Sequence, residues 1–115
     1  MYRNVYAQTV EDSPAAARVR ERALLERAIR LLAVAKVKGV RSSESFEATA
    51  NMRRIWTVFI EDLGSDGNAL PEALRASLIS IGLWILRELE AIDCGKSDNL
   101  DGVIEINQMI ADGLS

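Results

Sequence analysis

Apolar residues recur along this chain at the three- and four-residue spacing of amphipathic helices, in four segments separated by short connections. No segment sustains the alternation of apolar and polar residues that a half-buried strand requires. Short connections place successive helices side by side and antiparallel, so the pattern predicts an all-α fold, a small compact bundle of about four helices. The 115 residues are enough for one core, and we expect a single domain over residues 1–115.

Helix-start and helix-stop signals divide the chain. The predicted helices cover residues 14–38, about 43–63, 71–92 and about 98–113. Ser13 followed by Pro14 marks the first start, and Ser42 or Ser43 is the expected cap of the second helix. Asp98 is the expected cap of the fourth. Residues 1–13 form a polar lead with three residues spaced to touch a neighbouring surface: Tyr2, Val5 and Tyr6.

Each of the first three helices has an apolar stripe that we expect to face the core. On the first helix the stripe is Leu24, Leu25, Ala28, Leu31, Leu32 and Ala35. On the second helix it is Ala48, Met52, Ile55, Trp56, Phe59 and Leu63. On the third helix it is Leu74, Leu78, Ile81, Gly82, Ile85 and Leu89. Glu26 and Arg30 are expected to form an i,i+4 ion pair on the outside of the first helix.

The third helix carries more apolar surface than one neighbour can cover. The residues beyond its main stripe are the predicted partner-binding set: Ile79, Leu83, Trp84 and Leu86. Aromatic residues are enriched among interface anchors, which favours a binding role for Trp84. Two alternatives stay open. The third helix is the central one, covered on several sides, or Trp84 packs against the first helix or the N-terminal lead.

Charge is unevenly distributed around a net value of -3. Residues 14–41 are rich in Arg and Lys, whereas residues 90–115 are acidic. The predicted charged contact face of the first helix consists of Arg20, Arg27, Arg30 and Lys38. This face fits an acidic partner or RNA phosphates, and the alternatives are a solvated face or one paired with the acidic C-terminal helix. Stacking aromatic residues are absent nearby, which disfavours RNA.

The side-chain chemistry does not favour catalysis. The chain has no histidine, and its one cysteine, Cys94, follows Asp93 and lies four residues after Glu90, whose charges discourage a thiolate. We therefore expect no enzyme, no catalytic or metal-binding residues and no cofactor. A single cysteine, no visible signal peptide and no apolar run near 18 residues indicate a cytoplasmic protein without membrane insertion.

Three segments carry a resemblance to a known family. They read RRIWTVFIEDL at 53–63, NALPEALRASLISIGLWI at 68–85 and LDGVIEINQMIADGL at 100–114. Together with Tyr2, Tyr6 and the looser run ALLERAIRLLAVA at 23–35, they resemble the flagellar-biosynthesis regulators of the FlaF type. These segments are characteristic of a fold rather than of a reaction.

The resemblance implies a cytoplasmic protein that promotes flagellin synthesis and filament assembly. Such proteins act opposite the translational repressor FlbT and are thought to engage flagellin, whose amphipathic terminal segments must stay unaggregated before export. The leading interpretation is a flagellin-binding export chaperone. The alternative is a post-transcriptional regulator that acts through FlbT or the flagellin message, and self-association into a homo-oligomer also stays open.

Overall fold

The computed structural model describes residues 14–114, which form four α-helices joined by short connections. The helices are α1 (Pro14–Lys38), α2 (Ser43–Leu63), α3 (Glu72–Asp93) and α4 (Leu100–Asp112). The all-α prediction and the number of helices are confirmed for this part of the chain. The predicted contacts of Tyr2, Val5 and Tyr6, and the cap at Ser13, lie outside the described residues.

Local signals set the ends of the first three helices. α1 stops before Gly39, whose φ of 111° is a left-handed conformation that glycine adopts without a steric penalty. The Ser42 side chain accepts a hydrogen bond from the N–H of Ser45, so Ser42 is the N-cap of α2. α3 begins directly after Pro71, within one residue of the prediction.

The start of α4 differs from the prediction. Asn99, and not Asp98, is its N-cap, because Asn99 Oδ1 accepts a hydrogen bond from the N–H of Gly102 at 2.9 Å. A Cβ at position 102 would lie 2.4 Å from Asn99 Nδ2, so glycine leaves room for this cap. Asp101 occupies the first turn, as expected, where the helix dipole favours negative charge.

The core lies between the four helices and is centred on Trp56, which is 1% exposed. Its ring packs edge-on against Phe59, and its Nε1 donates a hydrogen bond to Asn107 Oδ1 at 2.7 Å. Asn107 Nδ2 in turn donates to the carbonyl oxygen of Val103 at 2.8 Å. These bonds satisfy polar atoms that would otherwise be buried without partners. The prediction that Trp56 is a core residue is confirmed.

α3 approaches α2 closely at Gly82. A Cβ on this residue would lie 2.7 Å from Trp56 Cε3 and 2.9 Å from Ile60 Cδ1, both too short for real contacts. Glycine therefore lets the α3 backbone pack directly onto the tryptophan ring. The close approach fixes α3 against α2 at the middle of the core.

The helices are not equally surrounded. α1 packs along α2 and α4, and α2 packs along α1 and α3, whereas α3 and α4 touch over a short stretch. α3 is therefore an edge helix with α2 as its one extensive neighbour. This contradicts the alternative in which the third helix is central.

Two members of the predicted stripes are exposed. Leu24 is 48% exposed because one residue step turns a helix by about 100°, and the buried arc of α1 runs through its neighbour Leu25. Ile29, which was not in the predicted stripe, is buried instead. Leu74 is 45% exposed because it lies in the first turn of α3, beyond the buried stretch of that helix.

Two ion pairs of α1 also differ from the predictions. Glu26 accepts from Nε of Arg22 at 3.1 Å, so its i,i+4 partner lies one turn earlier instead of at Arg30. Lys36 Nζ lies 2.6 Å from Asp101 Oδ1 and joins the end of α1 to the start of α4. The acidic C-terminal helix is thus paired with α1 through Lys36, which is not one of the four predicted face residues.

A group of polar contacts fixes the C-terminal end of α3 to α2. Asp93 accepts from the Thr49 hydroxyl at 2.8 Å with one carboxylate oxygen and pairs with Arg53 at 2.5 Å through the other. The Arg41 guanidinium donates to the carbonyl oxygen of Ile92. These contacts satisfy the end of the helix and restrain its position.

Candidate partner-binding surface

The outer sides of α3 expose apolar side chains, as its edge position in the bundle requires. Leu83 is 43% exposed and Trp84 is 39% exposed, and Ile79 and Leu86 are half-buried. All four members of the predicted set are therefore accessible. Their role in partner binding stays a prediction.

The four residues do not form one patch. Because consecutive residues are about 100° apart on a helix, Leu83 and Trp84 lie on different sides of α3. Leu83 and Leu86 line an open depression formed by α3 and the turn that follows it, whereas Trp84 lines another that faces α4. We name the first side, with Ile79, Leu83 and Leu86, the leucine face.

The leucine face has a mixed polar rim formed by Arg87, Glu90, Cys94 and Lys96. Cys94 is exposed, and its Sγ–H donates to Glu90 Oε2 at 3.2 Å. This hydrogen bond, followed by the charge of the same carboxylate, raises the pKa of the thiol. The raised pKa disfavours the thiolate at neutral pH, and the rim offers charges of both signs.

The tryptophan side of α3 is a separate apolar depression. Trp84 and Ile81 form its α3 wall, and Ile106 and Met109 form its α4 wall. Met109 is 65% exposed and was not predicted from the sequence as part of a binding surface. The alternative that Trp84 packs against the first helix is wrong, because the neighbouring helix on this side is α4. Packing against the N-terminal lead lies outside the described residues.

The four predicted residues of the charged face on α1 are all exposed: Arg20, Arg27, Arg30 and Lys38. Within residues 14–114 none of them forms an ion pair. Exposed valines at positions 34 and 37 lie among them. The face is therefore accessible to solvent or to a partner, and both alternatives remain.

Two negative findings apply to the part of the chain that the structure describes. No group of three or more Cys, Asp or Glu side chains there is arranged to hold a metal ion. No helix there is long and apolar enough to cross a membrane.

Comparison with known protein families identifies the chain. The family model described as flagellar protein FlaF matches residues 2–114. The chain belongs to the FlaF family. The comparisons with curated proteins and with solved structures returned no match.

FlaF membership makes this a flagellar protein. Each of the three characteristic segments, at 53–63, 68–85 and 100–114, contributes one residue to the centre of the core. The first supplies Trp56, the second supplies Gly82 and the third supplies Asn107. These residues meet at one point of the core, where the glycine packs on the indole ring and the amide accepts its N–H. These contacts of the FlaF-like segments hold the helices together in the core. They do not involve the exposed faces of α1 and α3.

Proposed function

We propose that this FlaF-family protein binds flagellin through the leucine face and keeps it soluble before export, acting in the cytoplasm without catalysis. The observation that carries the proposal is the edge position of α3, which leaves Ile79, Leu83 and Leu86 accessible. An amphipathic segment of flagellin can lay its apolar stripe on such a face, with the charged rim setting its orientation.

The energy available from this face is enough to matter. Full burial of one leucine side chain contributes about 1.5–3 kcal/mol, and Leu83 still has 43% of its surface to bury. Contacts with the two half-buried neighbours add to this. The absence of histidine and the protonated thiol of Cys94 support a binding role rather than an enzymatic one.

Calorimetry with the flagellin of the same organism tests the proposal. The wild type is expected to bind, and Leu83→Asp is expected to raise Kd by at least about tenfold, because a carboxylate cannot be buried under an apolar stripe. Val58→Asp is the matched control, since Val58 is exposed on α2 and outside the leucine face. Absence of binding by the wild type, or equal losses in both variants, would contradict the proposal.

A second function is favoured by the exposed basic face of α1, whose four residues form no ion pair with any other residue between 14 and 114. In this alternative the protein contacts FlbT or the flagellin message through Arg20, Arg27, Arg30 and Lys38. Phosphate contacts make affinity fall steeply with salt, whereas an apolar face is nearly insensitive to it. Charge reversal at Arg27 and Arg30 should abolish binding of this kind and leave flagellin binding intact.

A further inference from the structure

A partly open cavity of about 80 Å³ lies at the end of the bundle where α1 and α3 begin and α2 and α4 end. Every helix contributes to it. Its walls include Glu21 from α1, Trp56, Phe59 and Asp62 from α2, Leu78 from α3 and Ile110 from α4. The walls are predominantly apolar, and the exceptions are the carboxylates of Glu21 and Asp62.

The cavity has the size of one aliphatic side chain. An apolar cavity of about 150 Å³ is large enough to hold a benzene molecule, and this one has roughly half that volume. An aromatic ring would therefore not fit without movement of the walls. A branched aliphatic group, such as the end of a leucine or isoleucine, matches the space and the apolar surroundings.

The two carboxylates add negative charge to this apolar site. Glu21 is half-buried, and its pKa is raised first by burial and then by the charge of Asp62, with a smaller opposing effect from Arg20 and Arg18. Asp62 Oδ2 accepts a hydrogen bond from Asn68 Nδ2 at 3.0 Å. Among residues 14–114 neither carboxylate takes part in an ion pair.

We propose that this cavity receives one branched aliphatic side chain of a partner protein, whose neighbouring lysine or arginine pairs with Glu21 and Asp62. Burying an apolar group alone would desolvate the carboxylates further and leave them unpaired, which is unfavourable. A cation beside the aliphatic group removes this penalty. The site differs from the leucine face, because Leu78 lines the cavity whereas Ile79 lies about 100° away on α3.

Three small probes with the same branched carbon skeleton separate shape from charge. They are isoamylammonium, isoamyl alcohol and isovalerate, titrated into the full chain while the methyl NMR signals of Leu78 and Ile110 are followed. We expect the ammonium to shift both signals with a millimolar Kd, as suits so few atoms. The alcohol should bind about three- to tenfold more weakly, the range of a partly exposed ion pair. Isovalerate should give no shift.

Two variants complete the test. In Glu21→Gln the Kd values of the ammonium and the alcohol should differ by no more than about twofold, because most of the preference for a cation is removed. Asp98→Asn, which removes an exposed carboxylate elsewhere, should keep the preference. Leu78→Phe brings extra side-chain volume to one wall of the cavity, which leaves less space for a ligand, and should abolish the ligand-induced methyl shifts of Ile110.

Several results would overturn the proposal. These are equal binding of ammonium and alcohol by the wild type, methyl signals that do not move, or binding that survives Leu78→Phe. Micromolar affinity for the free amine would identify a small cation as the ligand instead of a partner protein. Binding that appears only in Val5→Asp would assign the cavity to the chain's own residues 1–13. Because flagellin is absent from the test, its failure is distinct from failure of the flagellin proposal.

Discussion

The two halves of α3 share one apolar spacing but lie in different environments. In residues 85–93 the side chains of Ile85, Leu89 and Ile92 are buried, and Asp93 is joined to α2 by a hydrogen bond and an ion pair. In residues 72–84 only Gly82 is buried. The C-terminal half thus has more buried side chains, whereas the N-terminal half is joined to the end of α2 by a hydrogen bond from Arg75 to the carbonyl oxygen of Leu63 and carries most of the accessible apolar surface.

This difference shows how an edge helix can serve both stability and binding. Anchoring by the C-terminal half keeps α3 in place, so the N-terminal half can leave apolar groups uncovered without losing its position. Regions with few buried contacts open at lower free energy than the rest of a protein. A binding surface on such a region can adjust to its partner while the core stays closed.

The largest expected effect comes from truncating equivalent leucines in the two halves. Leu89→Ala should lower the free energy of unfolding by about 2–5 kcal/mol, because it leaves a cavity in the core. Leu83→Ala should lower it by about 1 kcal/mol, since that side chain is 43% exposed and its truncation leaves no core cavity. Urea unfolding followed by circular dichroism measures both. Similar losses in the two variants would show that the halves are equally packed.

Gly82→Ala tests the junction between the halves. The added Cβ would meet Trp56 Cε3 at 2.7 Å, and a core-packed indole ring cannot move aside freely. Overpacking of this kind costs about 1–3 kcal/mol, partly offset by the roughly 1 kcal/mol that alanine gains over glycine in a helix. Ser80→Ala, an exposed change on the same helix, is the control. A Gly82→Ala protein as stable as the control would refute the close approach.

A smaller effect is expected from removing the charge at the anchored end. Asp93→Asn retains an acceptor for Thr49 but loses the ion pair with Arg53, which is partly exposed, so the loss should be about 0.5–1 kcal/mol. Hydrogen exchange should become faster in residues 85–93 and stay unchanged in residues 72–84. Faster exchange in residues 72–84 alone would place the anchor elsewhere.

Sequence reasoning predicted the helices well because their ends depend on local groups such as Ser42 and Gly39. It placed Leu24 and Leu74 in the core wrongly, because the width of a buried arc depends on which neighbours a helix has. The bond between Trp56 and Asn107 joins residues 51 positions apart, and the sequence gives no local sign of that pairing.

The candidate surfaces were predicted in the same uneven way. The excess of apolar residues on the third helix is visible in the sequence pattern. The placement of Leu83 and Trp84 in two different depressions depends on where α2 and α4 lie. The end cavity could not be predicted, because an unfilled volume results from the packing of all four helices. Glu21 gave no sign of its position beyond being an acidic residue in a basic helix.

The smallest expected effect concerns Glu21, which lines the end cavity together with Leu78 from the N-terminal half of α3. Its pKa is raised in the folded protein, so the folded state binds the proton more tightly than the unfolded one. The associated stability is present below the unfolded value of about 4.3 and is lost as pH rises through the folded value. Glu21→Gln removes this loss, so the variant should melt at a higher temperature than the wild type at pH 7, and the difference should shrink on acidification towards pH 4. A difference that does not depend on pH would mean that the shape of the side chain, rather than its partly buried charge near Asp62, sets the effect.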